Sequence, residues 1–412
     1  RAAGASGGVA LVLGAGNVSS IGPMDAFYKL FVEDRVVLYK PNPANAYLGP
    51  LVEEAFAPLA ERGCFHLVYG GAEVGSYLCS HPGVDEIHVT GSDKTYEAIV
   101  FGAGAEGEAR RREGRPLLEK PISAELGNVS PVIVVPGPWS DGDFAYQAEN
   151  LVTMLTNNAG FNCNATRVMV THAGWSGRER LLAAMRELLA RVPPRRAWYP
   201  GAADRFDAFA GRHPEAETYG ARAGGALPWA LIPGLDPARR DEICFTTEAF
   251  CSVFGETALA AESAPEFVAR AVEFANDRLW GTLNVTLLIH PRSLADPAVA
   301  RAFEAAVAGL RYGTVSVNHW AATGYGLVVT PWGGYPGHAP ADIQSGTGWV
   351  HNTLMLSRLE KSVVRAPFRV FPKPVWFVTH RTAGKLAKKL ARFEAAPSPA
   401  KLPGIFGLAL RG

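Results

Sequence analysis

The sequence has few of the features that mark whole classes of protein. Only 5 cysteines occur in 412 residues, they are widely spaced, and no CxxC pair is present. This pattern argues against a disulfide framework and against a zinc site, and it favours a reducing, cytoplasmic compartment. No uninterrupted apolar run approaches the roughly 20 residues that a membrane-spanning helix needs. With 40 basic and 39 acidic side chains, no excess charge indicates a nucleic acid or an anionic membrane as partner.

The remaining composition is that of an ordinary globular protein. Apolar residues make up 48% of the chain and the formal net charge is +1. A chain of this length can form two or three domains with sizeable cores. It starts at Arg1 and enters an apolar run almost at once, so we expect a processed or excised segment.

Short apolar runs alternate with helical patterns along most of the chain. Runs of this length, separated by amphipathic segments, predict βαβ units and a parallel sheet, and therefore an α/β fold. The predicted strands include Val9–Leu13, Val36–Tyr39, Ile87–Val89, Pro131–Val135, Val168–Thr171, Leu283–Ile289 and Gly313–Val317.

Three stretches do not follow this alternation. Gly102–Pro116 is rich in Gly, Arg and Glu, which predicts a solvated loop or a frayed helix end. Residues 192–240 are rich in Pro, Gly, Ala and Arg, which predicts surface excursions. The basic, amphipathic segment Thr382–Phe393 indicates a solvated or subunit-packing helix, and weak docking to a membrane surface or a partner is the alternative.

One cysteine stands in an unusual setting. Cys163 lies among small and amide residues between Asn157 and Arg167, just before a predicted strand. A thiol on a loop between packed elements is accessible to a substrate, and its thiolate is a strong nucleophile. The opposing interpretation is a packed core residue, because cysteines are among the most frequently buried side chains. The loop alone does not decide between them.

Six short motifs in a fixed order decide the interpretation. They are Lys40-Pro41, Thr90-Gly91-Ser92, Glu125-Leu126-Gly127, Asn158-x-Gly160-x-x-Cys163-x-Ala165-x-x-Arg167, Thr247-Glu248-Ala249-Phe250 and Trp332-Gly333-Gly334-Tyr335. Together they make the chain resemble the NAD(P)-dependent aldehyde dehydrogenase superfamily over roughly Val9 to Val370. The resemblance implies a Rossmann-type cofactor domain and an α/β catalytic domain.

The resemblance implies roles for three residues in aldehyde oxidation. Cys163 matches the nucleophile, which attacks the aldehyde to form a thiohemiacetal and, after hydride transfer, a thioester. Asn17 matches the asparagine that, with the backbone N–H of the nucleophile, stabilises the oxyanion. Glu125 matches the general base that activates water for hydrolysis of the thioester.

The same resemblance implies residues that bind the cofactor, NAD or NADP. Lys40 would contact the adenosine ribose, and Gly91 and Ser92 would lie at the pyrophosphate, where a helix begins. Glu248 matches the acceptor for the nicotinamide ribose hydroxyls, and Phe250 matches the ring beside the nicotinamide. Five of the eight predicted site residues thus belong to the cofactor.

Departures from the family pattern generate further expectations. Phe161 stands where the family often has Gln, which predicts a more apolar mouth around Cys163. Tyr96 replaces a usual glycine in the helix near the pyrophosphate, which predicts an altered approach of the phosphates. Pro43 replaces the Glu typical of NAD-preferring members, so NADP is also compatible. The leading segment of the family has no counterpart here, so this chain is expected to be one piece of a longer protein.

The resemblance also implies a domain organisation. Residues 1–128 would bind the cofactor, 129–345 would form the catalytic domain, and 346–371 would contain a return segment and an oligomerisation strand at Ser362–Val370. Residues 372–412 would form a basic C-terminal extension. The oligomerisation strand predicts a homodimer or a homotetramer.

Two other functions remain open from the sequence. In an acyl-CoA reductase or a CoA-acylating dehydrogenase, the thiol of coenzyme A rather than water attacks the thioester. The presence of Glu125 favours hydrolysis by water, because a thiol acceptor needs no base that activates water. The other alternative is an inactive binding or structural protein that has retained the fold. The identity of the aldehyde does not follow from the sequence.

Overall fold

The computed structural model describes residues 7–412 as strands and helices that alternate for most of their length. The strands are β1 Gly8–Leu13, β2 Arg35–Lys40, β3 Phe65–Leu67, β4 Glu86–Gly91, β5 Ile122–Leu126, β6 Pro131–Val134, β7 Val168–His172, β8 Arg195–Arg196, β9 Glu217–Tyr219, β10 Ala226–Leu227, β11 Trp229–Leu235, β12 Val253–Leu259, β13 Asn284–Leu288, β14 Thr314–Val317, β15 Gly346–Thr347 and β16 Ser362–Arg365.

Helices connect most of these strands. They are α1 Ile21–Phe31, α2 Gly49–Ala60, α3 Ala72–Ser80, α4 Asp93–Phe101, α5 Gly104–Arg112, α6 Asp141–Thr156, α7 Arg178–Arg191, α8 Ala202–Ala210, α9 Ile243–Thr246, α10 Ala264–Arg278, α11 Pro297–Gly309, α12 Ala322–Gly326, α13 Ala383–Ala395 and α14 Leu402–Ala409. Within residues 7–412, no helix has both the length and the apolar character needed to cross a bilayer.

The first sheet has the strand order β15-β5-β4-β1-β2-β3. Its neighbours pair in parallel, except that β15 returns from late in the chain and pairs antiparallel with β5. The central strand β1 is covered on both faces, as expected for a parallel sheet between helices, and Ala10, Leu11 and Val12 have no exposed surface.

The second sheet has the strand order β16-β14-β13-β6-β7-β12-β11-β9. It is parallel except for the edge strand β9, which runs antiparallel to β11. Its two faces pack into two large apolar clusters, one of them built around Phe161, Val168 and Phe245. The two mainly parallel sheets confirm the predicted α/β fold.

Two predictions of local structure were wrong. Gly102–Pro116 contains the nine-residue helix α5, with Glu106 in its first turn and Arg110 to Arg112 in its last, an arrangement that complements the helix dipole. Residues 192–240 contain helix α8 and the strand β11, in which Trp229, Ala230 and Leu231 are completely buried. Pro233 and Gly234, at an irregularity in the β11–β12 pairing, obscured this strand in the sequence.

The C-terminal part differs from the sequence prediction in extent. The strand predicted over Ser362–Val370 ends at Arg365, and it pairs in parallel with β14 of the same chain. The basic helix predicted over Thr382–Phe393 corresponds to α13. It packs against α14, and its Leu386 is buried while Lys385, Lys388 and Lys389 are exposed.

Candidate active site

All eight residues predicted for the site line one cleft of about 1480 Å³. They are Asn17, Lys40, Gly91, Ser92, Glu125, Cys163, Glu248 and Phe250. Residues separated by more than two hundred positions in the chain are therefore brought to a single cavity. A large cleft with convergent polar groups is the feature that most often marks a ligand site.

One half of the cleft is formed by loops that follow the strands of the first sheet. Gly14 to Asn17 follow β1, Lys40 is the last residue of β2, and Gly91 is the last residue of β4, just before Ser92 to Thr95. The carboxyl ends of neighbouring parallel strands form a crevice in which α/β proteins bind ligands. Lys40 is largely buried at the base of this crevice, and desolvation lowers the pKa of its ammonium group.

The beginning of α4 faces the same half of the cleft. The Ser92 hydroxyl accepts a hydrogen bond from the Thr95 N–H at 3.1 Å and so caps the helix. Gly91 precedes it without crowding, since a Cβ there would have no neighbour closer than 3.9 Å. Tyr96 packs into the core beside Val100 and Leu126 and does not line the cleft. An altered approach of the phosphates at Tyr96 therefore stays a prediction, and its ring is not among the residues that line the cleft.

The cysteine loop begins where α6 ends. Ser140 and Asp143 form a reciprocal cap at the start of this helix, whose buried side chains fix its direction. After Thr156 the chain turns through positive φ angles of 51° at Asn158, 55° at Ala159 and 84° at Gly160. A Cβ on Gly160 would lie 2.5 Å from the Cys251 carbonyl oxygen, so only glycine fits this turn.

Two polar side chains of the motif hold this loop in place. The buried Arg167 guanidinium donates to the carbonyl oxygens of Cys251, at 2.6 Å, and of Gly160. The Asn158 amide donates to the carbonyl oxygens of Asn17 at 2.9 Å and Phe161 at 3.1 Å. The spacing from Asn158 to Arg167 therefore serves to orient the loop that carries the thiol.

Cys163 lies on this loop at the base of the cleft. Its carbonyl oxygen accepts hydrogen bonds from Ser130 Oγ at 3.0 Å and Asn284 Nδ2 at 3.4 Å. The residue is partly exposed, but the protein packed around the sulfur desolvates it and raises the thiol pKa well above its ordinary value. The negative charges of Glu125 and Glu248 act in the same direction. At neutral pH the resting nucleophile is therefore a thiol.

Glu125 comes from β5 and is only 3% exposed. Desolvation, followed by the charge of Asp25, raises its pKa to about 8, while Trp332 and the Cys163 thiol act in the opposite direction. Its Oε1 has no hydrogen-bond partner among residues 7–412. A carboxyl group with a pKa near neutrality beside a thiol has the properties of a general base.

Glu248 places a second buried carboxyl group in the cleft. It lies over Gly127, where any Cβ would collide with its carboxyl oxygens. Desolvation raises its pKa to about 8, although Arg167 and Arg205 lower it. Within the part of the chain that the structure describes, Glu248 Oε1 also lacks a hydrogen-bond partner. The glycine of the Glu-Leu-Gly motif therefore makes room for this second carboxyl group.

Asn17 lines the same cleft as Cys163. Its side-chain amide donates to the Phe161 carbonyl oxygen at 3.0 Å, which uses one of its two amide hydrogens. This bond links the loop after β1 to the cysteine loop. The remaining hydrogen is compatible with an oxyanion donor, and that role stays a prediction.

The expectation for Phe161 was wrong. This ring is 1% exposed and does not line the cleft. It packs instead against Trp198, Tyr199 and Phe250, with ring centroids 5.5 to 5.9 Å away. Tyr199 and Phe250, rather than Phe161, present aromatic surface to the cleft.

Several site residues escaped the sequence analysis. Arg205 of α8 lines the cleft, donates to the Phe250 carbonyl oxygen, and has its guanidinium carbon 5.8 Å from the centre of the Phe250 ring. It lies in the stretch predicted as a surface excursion, where no local signal marked it. Asp25 of α1 is 1% exposed and influences the Glu125 pKa. The sequence feature that could have indicated Asp25 is its position among the inward-facing residues Ile21, Ala26 and Tyr28 of α1.

Comparison with known proteins finds similarity to aldehyde dehydrogenases. The sequence profile of the aldehyde dehydrogenase family matches residues 7–198. The chain is 32% identical over 137 residues to 4-trimethylaminobutyraldehyde dehydrogenase from Homo sapiens, covering 32% of this chain and 24% of that protein. It is 28% identical over 187 residues to N-succinylglutamate 5-semialdehyde dehydrogenase from Sphingopyxis alaskensis, covering 45% of this chain and 35% of that protein.

The fold has the same relatives. The structure of NADP-dependent glyceraldehyde-3-phosphate dehydrogenase from Bacillus halodurans C-125, complexed with NADP, superposes with a TM-score of 0.64 at 22% identity, covering 85% of this chain and 67% of that one. Residues 7–198 thus match the aldehyde dehydrogenase family, and the fold of most of the chain is similar to that of aldehyde dehydrogenases. The sequence matches span only about a quarter to a third of the length of these two curated relatives.

The geometry of the cleft predicts a charge coupling between Cys163 and Glu125. At pH 9 the Glu125 carboxylate is ionised and raises the thiol pKa, so Glu125→Gln should speed alkylation of Cys163 by iodoacetamide, by roughly tenfold for each pKa unit of coupling. At pH 6.5 the carboxyl group is protonated, and the two proteins should react alike. Labelling is followed by peptide mass spectrometry with the partly exposed Cys64 as internal reference. Equal rates at pH 9 would contradict the coupling.

Proposed function

We propose that this protein oxidises an aldehyde to a carboxylic acid with NAD or NADP, through a thioester on Cys163 that water hydrolyses. The observation that carries the proposal is the cleft in which Cys163 and Glu125 occur together with all five residues predicted for the cofactor. A thiol and a carboxyl group of near-neutral pKa are the two groups that formation and hydrolysis of a thioester require.

The residues on the other side of the cleft fit a dinucleotide. The crevice at the ends of β1, β2 and β4 is long and open, and the N-terminus of α4 can receive a phosphate. The buried Glu248 Oε1 has no hydrogen-bond partner in the described residues, and a ribose hydroxyl would provide one. Lys40, Gly91, Ser92, Glu248 and Phe250 would hold the cofactor, which accepts a hydride when bound. Pro43 lines the crevice where NAD-preferring members of the family have Glu. Proline has no carboxylate to repel the 2′-phosphate of NADP, so the proposal covers both NAD and NADP.

The thiol must be deprotonated before it can attack. Its pKa is raised by burial and by the two glutamates, and Glu125 is the base that faces it. We propose that Cys163 passes its proton to Glu125 as the sulfur bonds to the aldehyde carbon. The backbone N–H of Cys163 and the second amide hydrogen of Asn17 would stabilise the oxyanion.

Hydrolysis then uses Glu125 a second time. The carboxylate removes a proton from water, the water oxygen attacks the thioester carbon, and the bond to Cys163 Sγ breaks to release the acid. Only the ionised form of Glu125 can accept this proton. Because its pKa is raised to about 8, the hydrolysis rate should rise with pH up to about 8 and level off above it.

The residues that line the cleft indicate only the chemical character of the aldehyde, not its identity. Tyr199 and Phe250 present rings to the cleft near Cys163, while Arg205 adds a positive charge beside them. This combination favours an apolar or aromatic aldehyde.

The proposal is tested by assaying the full-length protein with aliphatic and aromatic aldehydes and either NAD or NADP. We expect reduction of the cofactor that depends on aldehyde and not on coenzyme A. Cys163→Ser should abolish turnover but leave cofactor binding unchanged. Turnover that requires coenzyme A would identify an acyl-transferring enzyme instead. If the reduced protein neither binds NAD(P)H nor reacts at Cys163 with iodoacetamide, the chain is an inactive relative.

Glu125→Gln separates the two halves of the reaction. Loss of the base should slow hydrolysis by about 10²- to 10⁴-fold. The thioester should still form, since the thiol proton can leave into the open cleft before the aldehyde binds. Mass spectrometry after a single turnover should therefore detect an acyl group on Cys163. A variant that shows no acyl-enzyme and releases acid at the normal rate would rule out Glu125 as the base.

We propose that the protein forms a homodimer or a homotetramer through the edge of the second sheet. Strand β16 has a partner on one side only, and its Val363 is 43% exposed. Two apolar loops follow Tyr325 and His351, whose rings lie 4.6 Å apart, so the loops emerge close together. Their exposed residues are Leu327, Val328, Val329, Leu354, Met355 and Leu356. A second copy of the chain would cover this surface, because an apolar patch beside an open strand edge is self-complementary around a two-fold axis.

Sedimentation velocity tests the assembly. Val329→Asp and Leu354→Asp should each shift the protein towards monomer, because a buried carboxylate without a partner is strongly unfavourable. Leu51→Asp, at an equally exposed site on α2, is the matched control and should leave the sedimentation coefficient unchanged. A wild-type protein that sediments as a monomer at micromolar concentration would contradict the proposal.

A further inference from the structure

Three buried side chains of the kinds that bind metal ions converge beside the start of α9. His213 follows α8, Glu242 immediately precedes α9, and Cys244 lies within α9. Each of the three is only 2 to 3% exposed. A ring nitrogen, a carboxylate oxygen and the sulfur all lie within 4.8 Å of one another, and residues 7–412 contain one such group. None of the three lines the cleft, so the proposed reaction leaves this group unexplained.

The ring of His213 is held in one orientation. Its Nδ1 lies 2.7 Å from the Phe209 carbonyl oxygen, which can only accept, so Nδ1 carries a hydrogen. Nε2 then points at Glu242 Oε1, 3.0 Å away. Histidines that bind metals are commonly oriented in this way, with the other ring nitrogen donating to a backbone carbonyl group.

The contact between His213 Nε2 and Glu242 Oε1 requires a cation between two acceptors. An ionised carboxylate only accepts, so either a proton or a metal ion must lie between the two atoms. Glu242 Oε1 also accepts the Cys244 N–H at 3.0 Å, which fixes the carboxylate in place. With one shared proton and a Cys244 thiol, the three side chains together carry no net charge. A Zn²⁺ ion that replaces those two protons keeps the net charge at zero, so no uncompensated charge is buried.

The distances suit a tetrahedral zinc ion. Zinc binds nitrogen and oxygen ligands at about 2.0 Å and sulfur at about 2.3 Å, which sets the ligand atoms about 3.3 to 3.6 Å apart. The 3.0 Å between His213 and Glu242 is close to this value, and the Cys244 sulfur needs only a small side-chain rotation to reach the same ion. The second oxygen of Glu242 or a water molecule would be the fourth ligand. Imidazole and thiolate favour zinc over magnesium and calcium.

The ion can enter from the surface beside Glu242. Arg239 Nη1 lies 3.7 Å from Glu242 Oε2, and the arginine side chain is 49% exposed. An ion pair this exposed is weak, so the arginine can turn into solvent as the metal enters. Asp241, whose side chain is 83% exposed, contacts Arg239 and adds a carboxylate at the same surface.

We propose that His213, Glu242 and Cys244 form a zinc site that ties the end of α8 to the start of α9. This inference does not depend on aldehyde oxidation. Helix α8 carries Arg205, and α9 leads directly into Glu248, both of which line the cleft. A bound ion would therefore brace two segments of the cleft from outside it. His213 and Glu242 are 29 positions apart in the chain, so no local motif marks the site.

The site is tested with cobalt(II) and zinc on the reduced full-length protein carrying Cys163→Ser, which removes the other thiol that lies beside carboxyl groups. Cobalt(II) should bind at one ion per chain, with thiolate-to-cobalt charge-transfer absorption and the visible bands of a tetrahedral ion. Zinc should displace the cobalt and release about two protons per ion into an indicator solution. Zinc should also raise the melting temperature by several degrees, because the folded state alone holds the site.

Variants of the ligands separate zinc binding from simple packing. Cys244→Ser should abolish the charge-transfer band, and His213→Gln should weaken cobalt binding about 100-fold or more. His290→Gln is the matched control and should bind cobalt like the parent protein. His290 is also buried, with Nε2 3.7 Å from Asp143 Oδ2, but no cysteine completes a metal-binding group there among the described residues.

The parent protein decides the outcome even if a ligand variant fails to fold. A folded parent that shows no charge-transfer band in millimolar cobalt(II) would overturn the proposal. So would a band that persists unchanged in Cys244→Ser. In either case the group is a buried hydrogen-bonded pair with a packed cysteine beside it.

Discussion

The burial of carboxyl groups around one thiol is the constraint on which this site depends. Glu125 and Glu248 are both removed from water beside Cys163, and desolvation raises each pKa to about 8. Each group also makes it harder for the others to ionise. The site therefore stores protons at neutral pH, and chemistry within it requires a path by which protons leave.

Side chains that bind the surrounding backbone stabilise this arrangement. Arg167 is buried with Glu248 nearby and uses its guanidinium to hold the Gly160 and Cys251 carbonyl oxygens, so one cation both orients the cysteine loop and partly offsets a buried carboxylate. The Asn158 amide ties the same loop to Asn17. Strand β15 returns from late in the chain and covers the edge of β5 beside Glu125. Rigid support of this kind keeps reacting groups in place.

Much of the fold was predictable because parallel strands buried on both faces leave continuous apolar runs. Val9–Leu13 and Leu283–Ile289 are of this kind, and both form strands. Strand β11 was not predicted because Pro233 and Gly234 interrupt its apolar run. Its neighbours in the sheet nevertheless bury Trp229 and Leu231 completely. Helix α5 was not predicted because its content of glycine and charged residues is typical of a loop. The order of its charges, acidic first and basic last, nevertheless suits a helix dipole.

The sequence by itself determined eight residues that would meet, since short motifs in a fixed order marked seven of them, from Lys40 to Phe250, and a positional match marked Asn17. Only the tertiary structure decided which side chains face the cleft. It turned Phe161 and Tyr96 into the core and brought Arg205 and Tyr199 to the cleft. It also placed the buried Asp25 where its charge raises the Glu125 pKa. The physical reason is that side-chain direction and desolvation depend on neighbours distant in the chain, and no local pattern records them.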